Sequence, residues 1–169
     1  MKRSMTARVL ALACAGALAA TALAGCGAQQ PSQAEQEQAQ NRQYMTQVNQ
    51  TMEDLQTNLA SFTDAVSRDD VVGMRTQADA AFKAIDDLSG LDAPEALADI
   101  KQSYVDGTAD LKAALSSYVD LYTEIDSATE AQPFDYTTYD QRLADIKAQY
   151  DSGIEKLQQG DQKAADMPN

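Results

Sequence analysis

The sequence predicts an all-α protein: an antiparallel up-down bundle of four helices, the second clearly shorter than the others. Two observations carry this. Apolar residues recur at alternating steps of three and four in four separate stretches, the spacing that sets them along one side of a helix. Between the stretches the phase breaks at short polar, Gly- or Pro-bearing segments, and short connections return consecutive helices in opposite directions. The longest seam is Leu97, Ile100, Tyr104, Gly107, Leu111, Ala114, Tyr118, Leu121 and Ile125. It belongs to the third helix, and the other three are read as covering it.

The chain opens with a basic stretch containing Lys2, Arg3 and Arg8, followed by an apolar run from Val9 to about Leu23. This pattern predicts a signal peptide over residues 1–25, excluded from the fold. Leu23-Ala24-Gly25-Cys26 resembles the lipobox of bacterial lipoproteins, with small residues just before a cysteine. The resemblance implies that Cys26 receives a diacylglyceryl group and becomes the new N-terminus. The chain would then be anchored in the cell membrane by its acyl chains and face outward from the cytoplasm. Two acyl chains hold firmly where one binds only marginally. Cys14 lies inside the leader, so no disulfide framework is expected and Cys26 serves as a tether.

Residues 26–42 are rich in Gln, Ala, Ser and Glu and read as a flexible polar linker. Its second half, Ala34 to Ala39, is also compatible with extra polar turns on the first helix. The bundle is placed at 43–160. Its first seam is Met45, Val48, Met52, Leu55, Leu59, Phe62 and Val66. The phase then breaks at Ser67-Arg68-Asp69-Asp70, where Ser67 and Asp70 have capping-box spacing; a tight turn is expected there, with a single bent helix as the alternative. A second, shorter seam follows: Val71, Met74, Ala78, Ala81, Ile85 and Leu88. It stops at Gly90, read as a left-handed residue closing the helix. Asp92 is the expected cap of the third helix, with Pro94 in its first turn. After a loop at 129–133, Asp135 is the expected cap of the fourth, with Phe134 stapled onto Tyr139. The fourth seam is Tyr139, Leu143, Ile146, Tyr150, Gly153 and Leu157, and residues 161–169 read as a frayed polar tail.

An internal repeat links the last two helices. Ala98-Asp99-Ile100-Lys101 recurs as Ala144-Asp145-Ile146-Lys147, and at the same offset Tyr104 matches Tyr150, Gly107 matches Gly153 and Leu111 matches Leu157. Two antiparallel helices would bring the Tyr-x-x-Gly units together, each ring over the other helix's glycine. Tyr104, Gly107, Tyr150 and Gly153 are therefore the candidate packing site, or a small ligand cavity floored by glycine. Tyr118, Tyr122, Tyr136 and Tyr139 crowd the end nearest the third loop and form the candidate partner patch.

Composition excludes much chemistry. Thirteen basic residues stand against 26 acidic ones, a net charge of −13, in 169 residues with no histidine and no tryptophan. Removing Lys2, Arg3 and Arg8 with the leader takes the balance to about −16. Such a surface repels nucleic acid and is compatible with a cationic partner. Without histidine the commonest general base and metal ligand are missing. No phosphate loop or Gly-x-Ser-x-Gly elbow appears, so no catalytic residue, metal or cofactor is expected. Asp64 with Arg68, and Asp79 with Lys83, read as surface pairs at i,i+4 spacing. The chain resembles the small helical envelope lipoproteins of unassigned activity. That resemblance implies a non-enzymatic interaction or structural module with a protein partner at the cell envelope. The alternative is a small-ligand or cation-binding accessory protein using the space between helices three and four.

Overall fold

The computed structural model describes residues 31–167. The expected signal peptide, the lipobox with Cys26, residues 27–30 of the linker and the last two residues lie outside these. Among the described residues all regular structure is helical and no strand occurs. Four helices, α1 (Gln33–Ser67), α2 (Val71–Ser89), α3 (Ala98–Ser127) and α4 (Tyr139–Ala165), make up the described residues, with short 3₁₀ turns Glu95–Leu97 and Tyr136–Thr138 leading into α3 and α4.

The helix ends show where local chemistry differed from the sequence reading. α1 starts at Gln33, so most of the stretch assigned to a flexible linker is helix. Ser32 and Glu35 cap it reciprocally: the Glu35 carboxylate accepts the Ser32 amide at 2.7 Å, and the Ser32 hydroxyl accepts the Glu35 amide at 3.3 Å. Residues 33–40 are nonetheless exposed, and burial begins with Asn41 and Tyr44. The break after α1 falls where the phase changes, but Asp70 caps α2 alone, its Oδ1 accepting the Gly73 amide at 2.8 Å. Ser67 instead donates to the Asp64 carbonyl at 2.7 Å. Asp69, at φ 55°, holds the left-handed position in this turn, so the next helix has to start afresh from Asp70. Gly90 lies at φ −78° and is right-handed, contrary to expectation.

Asp92 caps nothing. The chain enters α3 through the 3₁₀ turn after Pro94, whose carbonyl accepts the Leu97 amide at 2.8 Å. Lys101 pins this connection by donating to the Leu91 carbonyl at 2.5 Å. Asp135 caps the 3₁₀ turn before α4 by accepting the Thr137 amide at 2.9 Å. The Phe134 ring meets Tyr136 edge-on and packs with Tyr139 in the cluster around Ala114, Leu121 and Ile146. α4 runs five residues past Gly160, so the residues assigned to the start of a frayed tail are helical and docked. The i,i+4 pair of Asp64 and Arg68 forms at 3.0 Å, while Lys83 turns from Asp79 to Asp87 at 2.7 Å.

α3 is the central element. All nine residues of its seam are buried or half-buried, and Ser103, Thr108, Leu115 and Val119 bury a further face. Thr108 is tolerated there because its hydroxyl donates to the Tyr104 carbonyl of its own helix at 2.8 Å. One apolar core joins Val48, Leu55 and Phe62 of α1 with Met74, Ile85 and Leu88 of α2, Leu111 and Leu115 of α3 and Leu157 of α4. α1 packs on α2, α2 on α3 and α3 on α4, the last pair being the most intimate.

Candidate functional site

Gly107 and Gly153 bring α3 and α4 together. A Cβ on Gly107 would stand 2.9 Å from the Gly153 carbonyl oxygen, and one on Gly153 would stand 2.8 Å from the Gly107 carbonyl oxygen. Leu157 and Leu111, equivalent in the repeat, flank the two glycines at 3.0 and 2.9 Å from those same points. The glycines therefore touch each other, and at the crossing there is no room for a ring. Tyr104 packs two turns away, over Gly160, where an added Cβ would lie 2.9 Å from the ring. Tyr150 packs on the cluster of Ala114, Leu121 and Ile146, and Ala114 is the residue that the repeat aligns with Gly160. The repeat thus brings equivalent groups together, in a different pairing from the ring-over-glycine arrangement read from sequence.

Polar contacts flank this crossing. The Tyr104 hydroxyl, on a side chain only 1% exposed, donates to Asp161 at 2.8 Å. Lys163 donates to the Ser103 hydroxyl at 2.8 Å. Lys156 and Ser152 donate to one carboxylate oxygen of Asp110 at 2.6 and 2.7 Å, which holds that carboxyl below its ordinary range. Beside them lies an open groove of about 280 Å³ lined by Asp99, Ser103, Asp106, Lys156, Lys163 and two glutamines.

The candidate partner patch is a connected row of rings. Phe62 meets Tyr118 edge-on at 5.6 Å, and Tyr118 stacks on Tyr122 at 4.7 Å with 16° between the planes. The Tyr122 and Tyr139 hydroxyls are 3.3 Å apart. Tyr139 lies 6.5 Å from Tyr136, which meets Phe134 at 4.9 Å. The row runs from the buried Phe62 to Tyr136, which is 68% exposed. The hydrogen bond with Tyr122, aided by burial, pushes the Tyr139 hydroxyl up to about 12, and burial raises Tyr118 and Tyr122 as well. These phenols are neutral at physiological pH and serve as packing surface and hydrogen-bond donors.

Two residues not singled out in the sequence complete this end. Arg142 grips Glu124 with both guanidinium nitrogens, at 2.5 and 3.1 Å, and lies over the Phe134 ring at 5.9 Å. They sit on opposite sides of the α3–α4 connection, so neither has a partner at any helical spacing that a linear reading tests. A groove of about 260 Å³ runs beside Phe134, Glu124 and Arg142.

Among the described residues no group of three or more acidic, His or Cys side chains converges to hold a metal ion. Several surface carboxylates are paired with lysines: Asp86 with Lys112, Asp87 with Lys83 and Asp110 with Lys156. Among the described residues no helix is long and apolar enough to cross a membrane. The chain matches no protein-family model, no curated protein and no solved structure.

Proposed function

We propose that this protein is a lipid-anchored lipoprotein of the cell envelope, facing outward, that acts as a non-enzymatic interaction module. In this reading its helices form an antiparallel up-down bundle, and the end bearing Tyr118, Tyr122, Tyr136 and Tyr139 engages another envelope protein. The observation that supports it best is the row of rings itself. It is continuous with the core at Phe62 and ends on the exposed Tyr136. Exposed aromatics backed by a rigid core make effective interface anchors, because little side-chain entropy is lost when they are covered. α1 begins at Gln33, and its 35 residues span roughly 50 Å. Asp69, at the far end of α1, acts on Tyr118 and Tyr122. The aromatic end therefore lies at the opposite end of α1 from Gln33.

Two measurements test this. Metabolic labelling with an alkyne fatty acid is expected to tag the parent chain and not Cys26→Ser, and equal labelling would refute the anchor. A photo-crosslinking amino acid at position 136 is expected to capture a defined protein in intact cells while one at the exposed Gln158 does not. Equal capture at both positions would refute the patch. The groove beside Ser103 and Lys163 gives the ligand-binding reading its own place between α3 and α4. Native mass spectrometry showing a small mass lost on denaturation would favour that alternative.

A further inference from the structure

We propose that the aromatic end takes a basic polypeptide segment, one carrying Lys and Arg side chains. This deepens the module reading above and rests on it. The first ground is charge. Asp69 acts on Tyr118 and Tyr122 and Asp140 on Tyr139, while Asp120 acts on Arg142, so this end carries carboxylates near these rings and near the guanidinium. Asp126 and Glu130 follow on the last turn of α3 and the loop. All five are exposed, and among the described residues no Lys or Arg lies within ion-pair distance of any of them. Two bases at this end are ion-paired, Arg68 with Asp64 and Arg142 with Glu124, while Arg75 donates to the Thr123 hydroxyl at 3.1 Å and keeps its charge.

The second ground is that this surface already binds one cation of its own. The Arg142 guanidinium lies between the Glu124 carboxylate and the face of Phe134, an arrangement that holds a cation by its charge and by the electron-rich ring. Tyr136, whose ring meets the Phe134 ring and is exposed, presents the same kind of aromatic surface outward, with the exposed Asp140 four residues on in the chain. The groove of about 260 Å³ beside Phe134 is large enough for one long side chain. A second copy of this chain would bring an equally acidic end against it, and nucleic acid or anionic lipid would bring like charge. A basic segment supplies what the surface lacks, and its attraction is felt before contact.

The test uses the full-length chain in nonionic detergent and a dye-labelled peptide of about sixteen residues built from Lys, Arg, Gly and Leu, with a Glu-for-basic counterpart as control. The basic peptide is expected to bind saturably and the acidic one not at all. Raising salt from about 50 to 300 mM should weaken binding by about fivefold or more. Asp126→Lys with Glu130→Lys should weaken it at least as much, and so should Tyr136→Ala. Glu37→Lys with Glu155→Lys, which changes net charge equally but lies elsewhere, should leave it within about twofold. Equal weakening by both pairs, no effect of Tyr136→Ala, or no binding would overturn the proposal. So would Tyr136-dependent dimers in sedimentation, which would assign the surface to a second copy. If position 136 crosslinks a cellular protein but the peptide does not bind, the basic-segment proposal fails and the module reading stands. If the peptide binds here but no protein is captured in cells, the chemistry is supported and the module reading fails.

Discussion

Replacing Gly153 by alanine adds one methyl group where α3 and α4 come closest. Its Cβ would lie 2.8 Å from the Gly107 carbonyl oxygen and 2.9 Å from Leu111 Cγ, against an ordinary contact of 3.4 Å or more. Leu111 can rotate, but a backbone carbonyl inside a helix cannot, so the helices have to separate locally by roughly half an ångström. Overpacking of this kind costs about 2–3 kcal/mol, offset by about 1 kcal/mol because alanine favours the helix more than glycine does. The expected net loss is about 1–2 kcal/mol, or about 3–8 °C in melting temperature for a domain of this size. Circular dichroism melts and urea titrations of the full-length chain would measure it, with the exposed Gln158→Ala expected within about 0.5 kcal/mol of the parent. Gly107→Ala should behave alike, and the double variant should cost less than the sum, because one separation accommodates both methyls. A Gly153→Ala protein that melts at or above the parent temperature would refute the reasoning.

Tyr104→Phe removes the hydrogen bond to Asp161 and is expected to cost about 1 kcal/mol in urea titrations, with faster hydrogen exchange confined to the last turns of α4. Asp110→Asn tests the pair with Lys156. The Asp110 pKa is lowered below 3.8 in the folded chain, so its contribution is present above that pH and is lost as pH falls through the lower folded value. The stability difference between parent and variant should therefore be full at neutral pH and shrink in acid; a difference that grows below pH 3.8 would contradict it. Tyr122→Phe should bring the Tyr139 phenol down from about 12 toward 10, followed by phenolate absorbance. In the parent, the unfolded chain loses this proton from about pH 10 while the folded chain holds it to about 12. Stability is accordingly full below pH 10 and falls as pH rises between those values, and that loss should be smaller in the variant.

Helix number, the shortness of the second helix and the break after Ser67 were legible in the sequence, because apolar spacing and backbone-breaking residues are local properties, whereas α1, not α3, is the longest helix. The seam of α3 was legible residue by residue. Helix ends were less so. Asp92 had cap chemistry but no helix beginning beside it, and Gly90 had conformational freedom that the turn did not use. Conversely, the exposed turns of α1 lack an apolar seam, and propensity together with the Ser32–Glu35 cap was enough to make them helix.

The candidate sites divide along the same line. The repeat in α3 and α4 marked Gly107 and Gly153 as special, but repeat matching cannot give the offset between two facing helices. That offset follows from how closely the backbones approach. Once the glycines meet, Tyr104 falls over Gly160 and Asp161, residues that a linear reading assigns to the end of the chain's order. The four tyrosines likewise stood out by density, whereas Phe62, Glu124 and Arg142 joined them only in three dimensions. Periodicity along one helix tells which side is buried. Which residue lies opposite it depends on the register and distance between helices, which the packing of the whole core settles.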